Sequence, residues 1–356
     1  MTARAHAIGS PVLDVAGPFF EDLHVGLRTG AAPGVTLTEG HAAAHLAILG
    51  GRLRLALDAE LCREVTGADA LLAHPALVCD VAIGQSTLLT QRVIANLFYR
   101  GLVLHRLPAI GDTLRTSTEV VALRQTSAKP CRAATGLAAL RIRTCDQEGR
   151  AVLDFHRCAM LPLRDPGGQT GHADDLAAVG AGERGAVACG AAPGEAGVEA
   201  AVAGWRLDAF RAAVPGAHAA GLAPGAVWTV DGGDVVSCAP ELARLSLNVA
   251  AAHHDAAANA GGRRLVYGGH TIGIAAAQAT RALPDLVAIV AWHGCEHLAP
   301  VLEGDTLTSR LALERIAPLS GAFGGVLLHL RSRVRARRDG TDVGEVLDWR
   351  FVGVMA

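Results

Sequence analysis

Gly111-Asp112-Thr113-Leu114 recurs as Gly304-Asp305-Thr306-Leu307, 193 positions later. Pro108 precedes the first copy and Pro300 the second, and each copy runs into a stretch suited to a strand, TSTEVVALR or TSRLALERI. The same spacing carries Ala73-His74-Pro75 onto Val266-Tyr267-Gly268, and each of these opens an apolar segment of helical character. Two landmarks at one spacing, inside matching patterns, argue for a tandem duplication.

Working outward from the repeat, each half has one order: a helix and an irregular segment, a turn, a long apolar helix, then strands. The long helices are expected near 74–89 and 269–282. Strands are expected near 93–106, 113–125, 131–146 and 151–163, and again near 286–295, 305–316, 326–338 and 342–354. Alternation in LTSRLALERI and VLLHLRSRVRARR fits strands with one buried face. Antiparallel strands that follow one long apolar helix imply a sheet wrapped around that helix, an α+β architecture. Between the halves, DPGGQTGHADDLAAVGAGERGAVACGAAPGEAGVEA is rich in Gly and Ala and has no sustained period. The expected organisation is an N-terminal unit at 1–164, a flexible linker at 165–200 and a C-terminal unit at 201–356.

The 356 residues are 51% hydrophobic and 19% charged, enough apolar material for a sizeable core and too much for a disordered chain. A net charge of −2 carries no sign of a general nucleic-acid binder. The most apolar long run, between Arg264 and Arg281, contains His270, Gln278 and three glycines, and falls short of a membrane span. The opening MTARAHAIGSPVLD lacks the apolar core of a signal peptide, so the expected location is the cytoplasm. The eight cysteines form no C-x-x-C pair and read as reduced core residues. His293, Cys295 and His297, in WHGCEH, imitate a metal set. No further ligand pair has structural-site spacing, so no metal is expected.

These words in this order resemble the MaoC-like hydratase/dehydratase family of the hotdog superfamily. Phe19-Phe20-Glu21-Asp22-Leu23-His24-Val25-Gly26 looks like its F-E-D-l-x-v-G opening, and Thr36-Leu37-Thr38-Glu39 like its T-x-T-E. Leu265-Val266-Tyr267-Gly268-Gly269-His270-Thr271-Ile272-Gly273 is similar to two-hotdog members of the mesaconyl-CoA hydratase type. The resemblance implies a double hotdog that acts on an acyl thioester of coenzyme A, with no other cofactor and no metal. It also implies a monomer built as an internal pseudo-dimer, or a homodimer.

Hydration of an enoyl thioester needs a base for water, an acid for the α-carbon and donors for the developing enolate oxygen. The family's motif, G-D-x-N-P-x-H-x-D, supplies an Asp and a His five positions apart. Here Asn248-Val249-Ala250-Ala251-Ala252-His253-His254-Asp255 fits the spacing, with His253 at the motif His, Asp255 at the trailing Asp and Asn248 at the catalytic Asp. An amide has no basic carboxylate, so Asn248 can only orient water or the imidazole, and proton transfer falls to His253. His254 alternates away from the site. Gly268, Gly269 and His270, at the start of the second long helix, are candidates to polarise the thioester through backbone N–H groups. Arg263 and Arg264 are candidates for the CoA phosphates; a solvated basic pair is the alternative. The corresponding stretch of the first half, residues 49–58, has neither the pair nor any His, so the first half is expected to shape the acyl tunnel. Two other functions compete with hydration: a non-catalytic acyl-CoA-binding double hotdog, and a hotdog thioesterase.

Overall fold

The computed structural model describes residues 16–128, 133–180, 195–259, 261–319 and 324–356. The principal helices are α1 (Glu39–Leu49), α2 (Ala59–Thr66), α3 (Pro75–Gln85), α4 (Glu195–Ala201), α5 (Leu207–Ala213), α6 (Ala239–Leu245) and α7 (Gly268–Ala282). The long strands are β1 (Ala95–Leu104), β2 (Thr113–Gln125), β3 (Thr135–Cys145), β4 (Ala151–Pro162), β5 (Leu286–His297), β6 (Thr306–Pro318), β7 (Val326–Arg338) and β8 (Thr341–Met355).

The long strands form one antiparallel sheet in the order β2-β3-β4-β1-β5-β8-β7-β6, with short strands at both ends. The order is its own mirror under exchange of the two halves. β1 and β5 are the seam, with Tyr99 opposite Cys295 and Leu102 opposite Trp292. Tyr99 and Trp292 are repeat counterparts, and their rings meet edge to face with centroids 5.8 Å apart. The sheet curls around α3 and α7, which are buried along most of their length and carry the apolar core between them. The fold is the α+β double hotdog that the repeat implied.

The repeated Gly-Asp is a turn device. Gly111 and Gly304 have φ of 106° and 94°, a region closed to most L side chains. The Asp112 carboxylate accepts the Ala109 amide, and the Asp305 carboxylate accepts the Leu302 amide, each at 2.9 Å. Each turn aims the following strand, β2 or β6, along its helix.

Residues 165–180 lie along β2 and behind the sheet. Asp174 accepts the Leu123 amide, His172 O accepts the Gln125 amide, and Leu176 is buried against Phe98 and Cys158. Within the stretch expected to be a flexible linker, this part is therefore tied to the first half. Residues 181–194 lie outside the described residues, and 195–201 form α4.

Candidate active site

A cavity of about 410 Å³ opens between the halves. The first half contributes Ile83, Thr87, Thr90, Tyr99, Arg157 and Met160, with the run 93–97. The second contributes Asn248, Ala250, His253, Thr271 and His297, with the runs 265–268 and 298–301. Its mouth is marked by Ile94 and Leu298, which are 45% and 52% exposed. Among the described residues no carboxylate lines it.

The segment bearing Asn248 and His253 is positioned by both halves. Leu247 adopts φ 60°, a left-handed conformation that turns the chain sharply off α6. The first half then holds the turn: Thr87 Oγ1 accepts the Val249 amide at 3.0 Å, and Gln91 O accepts the Ala251 amide at 3.2 Å. His254 donates to Asn248 O at 2.6 Å and so clamps the Asn248 backbone from behind.

Hydrogen bonds set the chemistry of both polar groups. The His253 Nδ1–H donates to Leu265 O at 2.8 Å, since a carbonyl can only accept. That fixes the tautomer and leaves the Nε2 lone pair, for which no partner occurs among the described residues. Burial pushes the His253 pKa down to about 4; the Leu265 carbonyl opposes this, and the His254 and Arg157 charges reinforce it. His253 is thus a neutral imidazole at ordinary pH, able to take a proton. Asn248 is 3% exposed, and its Oδ1 accepts the Ala250 amide at 2.9 Å. Its cavity-facing group is therefore the NH₂ donor, which can hold a water oxygen and cannot deprotonate it.

The start of α7 supplies the third element. No side chain among the described residues caps it, and Gly268 at its first turn lines the cavity; the His270 amide donates to Tyr267 O at 3.0 Å, which leaves the Gly268 and Gly269 amides and the positive dipole end for a carbonyl oxygen. The equivalent place in the first half is closed. The His74 Nδ1 accepts the Ala76 amide, Pro75 has no N–H, and the His74 ring stands over Gly51, where a Cβ would lie 2.6 Å from Nε2. Among the described residues, the start of α7 thus opens on the cavity while its counterpart in the first half is filled.

Of the candidate residues, the structure gathers Asn248, His253 and Gly268 at one cavity. The others do not line it. Asp255 is exposed and caps a short helical turn by accepting the Ala257 amide. Gly269 packs against Tyr267 and Asp80, leaving no room for a Cβ, and His270 is buried with neither ring nitrogen hydrogen-bonded among the described residues. Arg263 pairs with Asp339, and Arg264 with Glu303 and the His254 carbonyl, so both are engaged within the protein.

Sequence reasoning passed over Arg157, Tyr99, Tyr267, Thr271 and, in its true place, His297. His293 and His297 do not share a face. Arg350 pairs with Gly294 and Phe351 with Trp292, leaving His293 as the extra residue of a β-bulge. The bulge reverses the alternation, so His293 stacks outside on His329 while His297 turns inward against Tyr99 and lines the cavity. No three His, Cys, Asp or Glu side chains gather as a metal set among the described residues.

Buried imidazoles tie stability to pH. Burial depresses His74 to about 3 and His253, His270 and His297 to about 4. The unfolded chain takes up these protons near 6.5, so it binds more protons than the folded protein between about 6.5 and 4. Stability is therefore expected to fall as pH drops through that window. Thermal unfolding at pH 7.5, 6.0 and 5.0 checks this, and a constant Tm would contradict it.

No protein-family model matches the chain. The solved structure of RV0216 from Mycobacterium tuberculosis, described as a double hotdog, is 54% identical, with 96% of this chain and 99% of that one covered and a TM-score of 0.84. Among curated proteins, mesaconyl-CoA hydratase of Cereibacter sphaeroides is 29% identical over 92% of this chain and 91% of its own length. Beta-methylmalyl-CoA dehydratase of Chloroflexus aurantiacus is 26% identical over 82% and 80%. With the duplicated frame, these similarities lead to one assignment: the chain is a double hotdog of the kind seen in RV0216, related along most of its length to a hydratase and a dehydratase of CoA thioesters.

Proposed function

We propose that this protein adds water reversibly to the double bond of an enoyl thioester of coenzyme A, within one chain. The observation that carries the reading is His253: a buried imidazole with its proton locked on Nδ1 and its Nε2 open to a cavity shared with Asn248 and the uncapped start of α7. The thioester oxygen rests on the leading α7 amides, which hold the charge that develops as the enolate forms. Asn248 donates to the water oxygen, and His253 Nε2 takes the water proton as the hydroxyl bonds to the β-carbon. The imidazolium returns a proton to the α-carbon, and the reverse sequence dehydrates. The 201–356 half carries the proton transfer, and the 1–164 half holds the loop and builds the far wall of the cavity. The CoA thioester is substrate, and the scheme needs no further cofactor. Among the described residues no helix is long and apolar enough to cross a membrane.

Asn248 in place of a carboxylate favours a second reading, a protein that binds acyl-CoA without turnover. Incubation with crotonyl-CoA and mesaconyl-CoA separates the readings. Loss of enoyl absorbance is expected. Free thiol would indicate a thioesterase, and ligand-induced stabilisation with neither change would indicate binding alone.

A further inference from the structure

Asp80 stands in the middle of α3, is 2% exposed, and reaches the start of α7 from the first half. It does not line the cavity and takes no part in the proton transfer. A carboxylate between two apolar helices is costly unless its oxygens are hydrogen-bonded. Oδ2 accepts from Nε2 of His45, itself buried on α1, at 3.1 Å. Oδ1 faces the hydroxyl of Tyr267 beside Gly269: a Cβ on Gly269 would lie 2.1 Å from Tyr267 Oη and 2.2 Å from Asp80 Oδ1. Burial pushes the Tyr267 phenol well above its usual range, and the Asp80 carboxylate adds to this, so the phenol keeps its proton and meets Asp80 as a donor. The rest of Tyr267 belongs to the site. Its ring lines the cavity, with its centroid 5.9 Å from that of His253. Its backbone, the last before α7, has φ −76° and ψ 153°. The Gly268 N–H lies on the rigid peptide that follows this ψ, so the seat of Tyr267 decides where that amide points.

We propose that Asp80 is a positioning residue for the site in the other half: with His45 behind it, it holds the Tyr267 hydroxyl, and Tyr267 in turn aims the Gly268 amide at the thioester oxygen and braces the His253 ring. The proposal rests on the enoyl-CoA reading for the ligand that meets this amide. No proton or bond of the reaction passes through Asp80, which acts only by fixing Tyr267. The charge-assisted hydrogen bond of a phenol to a carboxylate is short and directional, and holds the ring more firmly than packing against an apolar residue would. Gly269 belongs to the same device, since only a residue without a Cβ leaves phenol and carboxylate side by side. Asparagine at position 80 cannot replace the carboxylate. His45 and Tyr267 donate to different oxygens, and an amide has only one. The first half thus sets the geometry of the α7 start as well as the shape of the cavity.

The test uses the full chain and butyryl-CoA labelled with carbon-13 at the thioester carbonyl, a saturated thioester that binds without reacting. Infrared difference spectroscopy reads the carbonyl stretch. Amide donors on the oxygen weaken the C=O bond, so binding to the wild type is expected to lower its frequency. Tyr267→Phe, which removes one oxygen, and Asp80→Asn are each expected to lose most of that shift while butyryl-CoA affinity changes little. In active enzyme each should lower kcat roughly tenfold with KM nearly unchanged. The double variant should be no worse than the worse single one, because the two residues act as a unit. Losses that multiply would mean that Asp80 and Tyr267 act separately, and would overturn the proposal. A full carbonyl shift in both variants with only Tm lowered overturns it too, as the mark of a packing role. A wild type that hydrates enoyl-CoA without shifting the bound carbonyl overturns the proposal and leaves the hydratase reading standing. A wild type that shifts the carbonyl and hydrates nothing removes that reading, and the infrared comparison of the variants still decides. If Asp80→Asn does not fold, Tyr267→Phe decides alone, and a full shift there overturns the proposal.

Discussion

Replacing His253 by alanine is expected to lower kcat by ~10²–10⁴-fold while KM changes little, because the imidazole acts on the proton in flight rather than on bound thioester. The change leaves the fold largely intact, since among the described residues the ring makes one hydrogen bond, to Leu265 O. The pH profile carries a second signature. With its pKa pushed down to about 4, His253 stays neutral in mildly acidic solution. At pH 5.5 an ordinary imidazole would be about nine-tenths protonated; here kcat/KM should remain near its neutral-pH value. Asn248→Asp extends the test. One carboxylate oxygen can keep the Ala250 amide, and the other faces the water as a second base, so turnover of a simple enoyl-CoA should hold or rise. If His253→Ala turns over normally, the assignment of the base is wrong. A silent wild type that gains hydration on Asn248→Asp would mark the natural protein as a binder.

The second large effect is structural and reaches the same site. Gly84, near the end of α3, lies against the carbonyl of Ser246 and the amide of Asn248, and a Cβ there would overlap the Ser246 carbonyl. The obstacle is backbone, so a rotamer change cannot relieve it. Gly84→Ala is expected to destabilise the protein by about 1–3 kcal/mol and to lower kcat/KM at least tenfold by moving Asn248 and the loop to His253. Gly136→Ala is the control: its Cβ would overlap the Phe20 ring, away from the cavity, so stability should fall while kcat per folded molecule is kept. An unchanged Tm and kcat/KM for Gly84→Ala would show that the two halves are not packed as closely as this.

Local chemistry accounts for what the sequence alone determined. The Gly-Asp turns at 111 and 304 repeat because a positive φ and an Asp carboxylate on a nearby amide are needed wherever the chain turns into β2 or β6. Strand alternation and the apolar runs of α3 and α7 follow from one buried face and from complete burial. The proposed pair Asn248 and His253 was legible for the same reason, since one short turn carries both.

The rest depended on partners far along the chain. The Asp255 motif position is exposed because its carboxylate caps a short helical turn, while Arg263 and Arg264 are taken up by Asp339 and Glu303. A single bulge at His293 reversed the face of His297, and no periodicity announces a bulge. Arg157 reads in sequence as one more arginine on an alternating strand. It is an uncompensated charge only because Ser86 and Thr90, about seventy residues earlier, fold over it and no acid does. Spacing along the chain determines which face a residue takes within one element. Whether a charge is buried, and whether anything neutralises it, is decided by the elements that the tertiary fold brings against that face.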